Sequence, residues 1–305
     1  NDFVTSPEIS QLFGECVTIF FLFIKGIFEK NSKRKIETVM EFGPGNGTLM
    51  YDLIRIVRKK KNLKNWNFFL IEISNLLKIR QKALLIKFQK ETKIHWHDQL
   101  YESFNDSCFY VCNEFFDAFP FNQYSLNGKK KIILKDKKLT SIFIPNNNPY
   151  NLKDKRDIVE TSLIMKKTLF KIFGKIKKNG GVFLLIDYGP LEKGKNDSIQ
   201  AIHKNSKCNF LDFPCKSDIT HHVDFLLIKK IARKFNLNIY GPINQSKFLS
   251  FFGINERIKS LLSNTKNLKQ KEKIEEDFDR LTSYSKMGEL YKCIIFSDIE
   301  LHLPF

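Results

Sequence analysis

Glu41-Phe-Gly43-Pro-Gly45-Asn-Gly47-Thr-Leu-Met50 is the stretch on which the fold turns. It follows an apolar block, Thr38-Val-Met-Glu-Phe42, and opens a helical stretch over residues 48–60, so a glycine-rich turn joins strand to helix. Glycine at 43, 45 and 47 lets backbone approach a ligand where a Cβ would collide. The spacing is G-x-G-x-G, not the dinucleotide G-x-G-x-x-G, and the chain contains no G-x-x-x-x-G-K-[ST] phosphate loop. A plain tight turn seldom needs three glycines and a proline, which favours a ligand-binding turn.

Blocks like the one before the turn recur at Asn67-Phe-Phe-Leu-Ile-Glu-Ile73, Ile94-His-Trp-His97, Cys108-Phe-Tyr-Val-Cys112 and Val182-Phe-Leu-Leu-Ile186. Their lack of polar alternation suits parallel strands buried on both faces. Helices are predicted between them over 48–60, 75–89 and 157–178, the last stopped by Asn179-Gly180-Gly181. The alternation predicts an α/β fold built on a doubly wound, mostly parallel sheet. Two insertions interrupt it: β-hairpins near 121–156 and a charged helical stretch near 244–285, broken at Gly253. Residues 236–241 and Glu289-Leu-Tyr-Lys-Cys-Ile-Ile-Phe296 supply the last strands, giving one domain over 1–305.

Composition narrows the class. Hydrophobic residues at 42% and charged residues at 28% describe a packed protein. No apolar run approaches the roughly 20 residues of a membrane span, and the nearest, Val17 to Ile24, is cut by Lys25. A net charge of +18 invites a nucleic-acid reading, yet 43 of the 51 cations are Lys and the chain is crowded with Phe, Ile and Asn. That is the mark of A/T-rich codons, and a phosphate-reading surface would draw on Arg; the expectation is therefore against nucleic acid as a partner. The six Cys show no paired zinc spacing and read as reduced thiols. The chain opens on Asn1 without an initiator Met, so an upstream segment is expected to be missing.

Acids stand at the strand ends. Glu72, 25 residues past Gly47, closes the second strand, where a carboxylate can accept ribose hydroxyls. Asp98 closes the third, beside Trp96 and His97, within reach of an adenine amino group. Glu114 and Asp117 follow the fourth strand and Asp187 and Tyr188 the fifth, on the edge that faces the crevice of an open α/β sheet. Glu114 and Asp117 also suit a helix N-terminal cap. His221, His222 and Asp224 form a further polar cluster, read as a capping Asp for the helix 225–234 with His222 on the pocket wall and no metal.

The acid-glycine motif, with Glu72 beyond it, resembles the Rossmann-like, S-adenosylmethionine-dependent class I methyltransferases. The resemblance narrows to the MidA family. It is carried in order by Asp2-Phe-Val-Thr-Ser-Pro-Glu-Ile-Ser-Gln-Leu-Phe-Gly-Glu15, Leu70-Ile-Glu-Ile-Ser74, Trp96-His-Asp-Gln-Leu100, Asn113-Glu-Phe-Phe-Asp-Ala-Phe-Pro120, Ile186-Asp-Tyr-Gly189 and Asp218-Ile-Thr-His-His-Val-Asp-Phe225. This chain lacks the family's aromatic- and glycine-rich segment ahead of the first motif, and its 208–215 stretch keeps Asp212 and Pro214 without the usual Pro-Gly pair.

Mitochondrial members of that family are protein arginine methyltransferases that assist respiratory complex I assembly. The resemblance therefore implies S-adenosyl-L-methionine as cofactor and a protein substrate, a complex I subunit. It implies cofactor contacts from Glu41, Gly43, Gly45, Gly47, Glu72, Asp98 and Asn113. A guanidinium is protonated at neutral pH, and carboxylates can hold it in a bidentate fork. Glu114 and Asp117 are the expected catalytic pair, with Phe115, Asp187, Tyr188 and His222 on the substrate side. The Lys-, Asn- and Phe-heavy composition points to an A/T-rich bacterium; the expected compartment is the cytoplasm if the source is bacterial, and the mitochondrial matrix if a leader is missing.

Overall fold

Short apolar blocks become the strands of one seven-stranded sheet. In chain order these are β1 (Thr38–Phe42), β2 (Asn67–Ile71), β3 (Lys93–His97), β4 (Cys108–Asn113), β5 (Gly181–Tyr188), β6 (Asn238–Asn244) and β7 (Tyr291–Ser297). The structure, a computed structural model, describes residues 4–59, 63–100, 105–145, 152, 157–191 and 196–305. Asp2 and Phe3 of the first motif, Lys60 of the expected 48–60 helix, and most of 146–156 in the first insertion lie outside the described residues.

Spatial order across the sheet is β6-β7-β5-β4-β1-β2-β3. Strands β1 to β5 run parallel, and β7 runs antiparallel between β5 and β6. The chain winds outward from β1 through β2 to β3, then crosses back to β4 on the other side of β1. Such a switch point opens a crevice at the carboxyl ends of the strands.

Side chains alternate across the sheet and feed two cores. Val39, Phe68 and Phe109 pack with the helices Gln11–Ser32 and Thr48–Val57 on one face. Met40, Phe69 and Tyr110 pack with the helices Leu163–Asn179 and Phe225–Lys234 on the other.

Several expectations need correcting. Lys25 does not end an apolar run; it lies inside the 22-residue helix Gln11–Ser32, paired with Glu29 and set 5.3 Å above the Trp66 ring. By length and composition that helix could cross a membrane, and 67% of its most apolar stretch is buried within this fold. The helix expected over 157–178 begins only at Leu163, because Val159–Thr161 is a strand paired with Asn122–Ser125. With the hairpin strands Gly128–Lys135 and Lys138–Ile144 it completes a four-stranded sheet. A separate three-stranded sheet, Gln200–His203, Ser206–Cys208 and Asp218–Thr220, was not foreseen. β6 runs past Gly241 through a bulge between Tyr240 and Ile243. The second insertion is helical as expected, with Gly253 at φ +90° opening the helix Ile254–Asn264.

Candidate active site

Parallel register gathers the site. Phe42 lies beside Ile71 and Cys112, so Gly43, Glu72 and Asn113 leave their strands at one level. Gly43 (φ +63°) donates its N–H to the Ile71 carbonyl at 3.0 Å, and a Cβ there would sit 2.4 Å from the Phe115 ring. Gly47 (φ +86°) caps the helix Thr48–Val57, and a Cβ there would lie 3.2 Å from Gln81 Cγ. Gly45 (φ +53°) differs: among the described residues a Cβ would meet nothing within 4 Å. The outer two glycines make room for protein, and the middle one borders open space.

Glu41 is buried beneath this loop, and its Oε2 has no hydrogen-bond partner among the described residues. Burial pushes its pKa from an ordinary 4.5 to about 8; the Glu72 charge adds to the rise and the Met50 N–H opposes it. Because the folded protein holds this proton more tightly than the unfolded chain does, the stability it contributes is present below the ordinary carboxylate range and is lost as pH rises through about 8. Calorimetric melting should therefore drop by at least about 2 °C between neutral and alkaline pH. Glu41→Gln should flatten that slope, and an unchanged slope would mean that Glu41 is ionised throughout.

Glu72 is buried at the end of β2. Its Oε1 accepts the Ser74 N–H at 2.8 Å and its Oε2 accepts Gln81 Nε2 at 3.4 Å. Gln81 also donates to the Gly45 carbonyl at 2.7 Å and accepts from Trp96 Nε1 at 3.1 Å. Asp98 ends up elsewhere: its side chain is 74% exposed and paired with Lys78, whose hydrogen bond and charge hold its pKa down. It stands at the rim of the crevice, not with the buried groups.

The other half of the site follows β4. Glu114 takes a left-handed backbone (φ +51°), a conformation that costs a non-glycine residue energy and recurs at functional sites. Its Oε1 accepts from the Ser6 N–H at 2.8 Å and Asn113 Nδ2 at 3.0 Å, and its Oε2 from the Tyr291 hydroxyl at 3.3 Å. Burial raises its pKa against those donors. Asp117 is almost fully buried, with Oδ1 unpartnered among the described residues, and its pKa is raised by burial and then by the charges of Asp187 and Glu114. Asn113 Oδ1 is likewise buried without a partner among the described residues.

Asp187 has no exposed surface. Its Oδ2 accepts the Phe115 and Phe116 N–H groups at 3.2 and 2.9 Å, and its Oδ1 accepts the Tyr188 N–H at 2.9 Å. Burial still lifts its pKa to about 7 despite the N–H groups of Tyr188 and Phe116. It therefore meets the backbone of the Glu114–Asp117 loop, not the open face expected for it. Phe115 lies over Gly43 and against Phe116 and Phe119. Tyr188 is hydrogen-bonded to Thr220 at 2.6 Å and meets the His222 ring edge-on at 5.4 Å. Asp224 caps the helix Phe225–Lys234 through the Leu227 N–H at 2.9 Å, as expected.

Sequence reading missed four groups that the fold adds. The first helix, Ser6–Ile9, is tied to the site twice: Ser6 to Glu114, and Glu8 to Asn46 of the glycine loop. Tyr291 comes from the start of β7, which no local pattern connects to β4. Gln81 left no sequence signal either: it shares the buried face of its helix with Leu85 while Leu76 and Ile79 are exposed, so only the fold shows that this Gln needs partners.

The sheet order, the loop after β1 and the acids at the strand ends define a Rossmann-like class I methyltransferase. A family model described as S-adenosyl-L-methionine-dependent methyltransferase matches residues 23–243, and the chain belongs to that family. It is 28% identical over 323 residues to the mitochondrial protein arginine methyltransferase NDUFAF7 of Homo sapiens, covering 95% of this chain and 72% of that one. It is 28% identical over 327 residues to the NDUFAF7 homolog of Drosophila melanogaster, covering 96% and 74%. A crystal structure from Burkholderia thailandensis, bound to S-adenosyl-homocysteine, shares the fold at a TM-score of 0.80 and 22% identity, covering 99% of this chain and 81% of that chain. The cofactor is S-adenosyl-L-methionine. The buried, unpartnered oxygens of Glu41 and Asn113 and the open space at Gly45 suit a cationic ligand of this kind.

Proposed function

We propose that the protein transfers a methyl group from S-adenosyl-L-methionine to an arginine of a protein substrate, a respiratory complex I subunit, in support of complex assembly. One observation carries the choice of arginine: Glu114, Asp117 and Asp187 lie together with raised pKa values, and among the described residues no lysine or arginine pairs with them. A buried cluster of acids without a counter-charge is costly, and a guanidinium supplies both the charge and several donors. The names of the relatives point the same way.

In this reading Gly43, Gly45 and Gly47 receive the amino-acid end of the cofactor, with Glu41 and Asn113 beneath it and Glu72 on the ribose. Asp98 is the proposed outer contact at the adenine. The bound cofactor supplies an electrophilic methyl on a sulfonium. Glu114 is held by three donors, which leaves lone-pair capacity on its Oε2 for a guanidinium N–H. Catalysis is chiefly positioning. Phe115 excludes water from the loop side, Tyr188 and His222 wall the substrate side, and Asp187 acts through the loop backbone. The nitrogen that gains the methyl releases a proton; a bound guanidinium favours the ionised form of the neighbouring Asp117, which is then the proposed acceptor.

The proposed working unit is the whole chain as one methyltransferase domain, in a bacterial cytoplasm or, behind a leader, in the mitochondrial matrix. Peptide masses from cells with and without the gene test the substrate: one or two methyl increments on an arginine of a complex I subunit are expected. Methylarginine profiles that match throughout would reject that substrate.

A further inference from the structure

Gln81 has no exposed surface, and it sits under the cofactor side of the site on the helix Asn75–Leu85. Its three hydrogen bonds leave no ambiguity in the amide. The indole N–H of Trp96 can only donate, so the oxygen must face it at 3.1 Å. The Gly45 carbonyl and the Glu72 carboxylate can only accept, so the NH2 group must face them, at 2.7 and 3.4 Å. Gly47 packs against the side chain, where a Cβ would come within 3.2 Å of Gln81 Cγ. One amide thus joins the loop after β1, the acid at the end of β2 and the aromatic residue of β3.

We propose that Gln81 is a positioning residue for the cofactor. It fixes the spacing between the Gly45 backbone and the Glu72 carboxylate before the ligand arrives. This rests on reading the glycine loop and Glu72 as the cofactor site. The two groups it bridges are both acceptors and repel each other, so without a shared donor they have no reason to hold this distance. Among the described residues Glu72 has one other donor, the Ser74 N–H, which fixes Oε1 and leaves Oε2 to Gln81. Preorganisation of this kind acts on affinity more than on chemistry. Loss of Gln81 should therefore weaken cofactor binding and leave turnover at saturating cofactor nearly unchanged.

Calorimetric titration of S-adenosyl-homocysteine into the full chain tests this, with parent, Gln81→Leu, Gln81→Glu and Trp96→Phe compared over a pH series. Gln81→Leu keeps the bulk under Gly47 and removes the donor; a loss of at least about tenfold is expected. Gln81→Glu turns a third acceptor toward Gly45 and Glu72. Its loss, taken as a ratio to the parent at each pH so that Glu41 cancels, should be largest at alkaline pH. It should shrink as the pH falls and the new carboxyl gains a proton to donate. A packing role alone would give no such trend. Trp96→Phe frees the amide to turn over and should cost about threefold.

Should Gln81→Leu fail to fold, the pH trend of Gln81→Glu and the Trp96→Phe loss carry the decision. Folded variants that bind within about twofold of the parent at every pH would overturn the role of Gln81. A parent that binds no ligand would instead overturn the cofactor site itself.

Discussion

Gly45→Val is expected to lose S-adenosyl-homocysteine binding by about a hundredfold or more, while the protein still unfolds cooperatively on heating. Two effects add. The residue sits at φ +53°, where a β-branched side chain is strained. It also borders open space, so the isopropyl group would fill the volume a ligand needs. Gly45→Ala separates the two, because it keeps most of the backbone cost and little of the bulk. Its affinity should fall between parent and Gly45→Val. At Gly43 the outcome differs in kind: a Cβ would strike Phe115 and displace the Glu114–Asp117 loop, so Gly43→Ala should depress turnover as well as binding. Parent-like affinity in Gly45→Val would mean that the loop is a turn and nothing more.

Glu114→Gln and Glu72→Gln should fail in opposite ways. The substituted amide at 114 can keep its oxygen toward the Ser6 and Asn113 donors and its nitrogen toward the Tyr291 oxygen, so the loop should survive. What goes is the charge that meets a guanidinium. Hydrogen bonds to charged groups are worth roughly 1.5–3 kcal/mol, so turnover should drop by at least about tenfold with little change in cofactor affinity. Glu72→Gln should raise the cofactor dissociation constant and have a smaller effect once cofactor saturates. Kinetic and binding constants for both variants check the map. Full turnover in Glu114→Gln would reduce that carboxylate to an anchor for Ser6.

Most of the sheet was legible because β1, β2, β4 and β5 are apolar on both faces, and such blocks read directly from sequence. Legibility failed where tertiary pairing overrides local pattern. Val159–Thr161 and the strands flanking Gln200–His203 are three residues long, too short to show a period. Lys25 looked like the end of a run because sequence does not show that Glu29 and Trp66 would receive it. The strand-end acids were singled out by position and resemblance, and neither separates Asp187, turned into the loop backbone, from Asp117, left with an oxygen unpartnered among the described residues. Tyr291 and Ser6 reach Glu114 across 177 and 108 residues of chain, a distance no motif spans.

The claim that unites the site is that the methyl group goes from S-adenosyl-L-methionine to a protein arginine. Purified protein incubated with methyl-labelled cofactor and an extract of cells lacking the gene tests it most directly. The extract is then split into protein and RNA, and the protein is hydrolysed to amino acids. Label recovered as methylarginine, and lost with Glu114→Gln, is the expected result. Label confined to RNA or to small molecules, with none in methylarginine, would contradict the assignment of substrate.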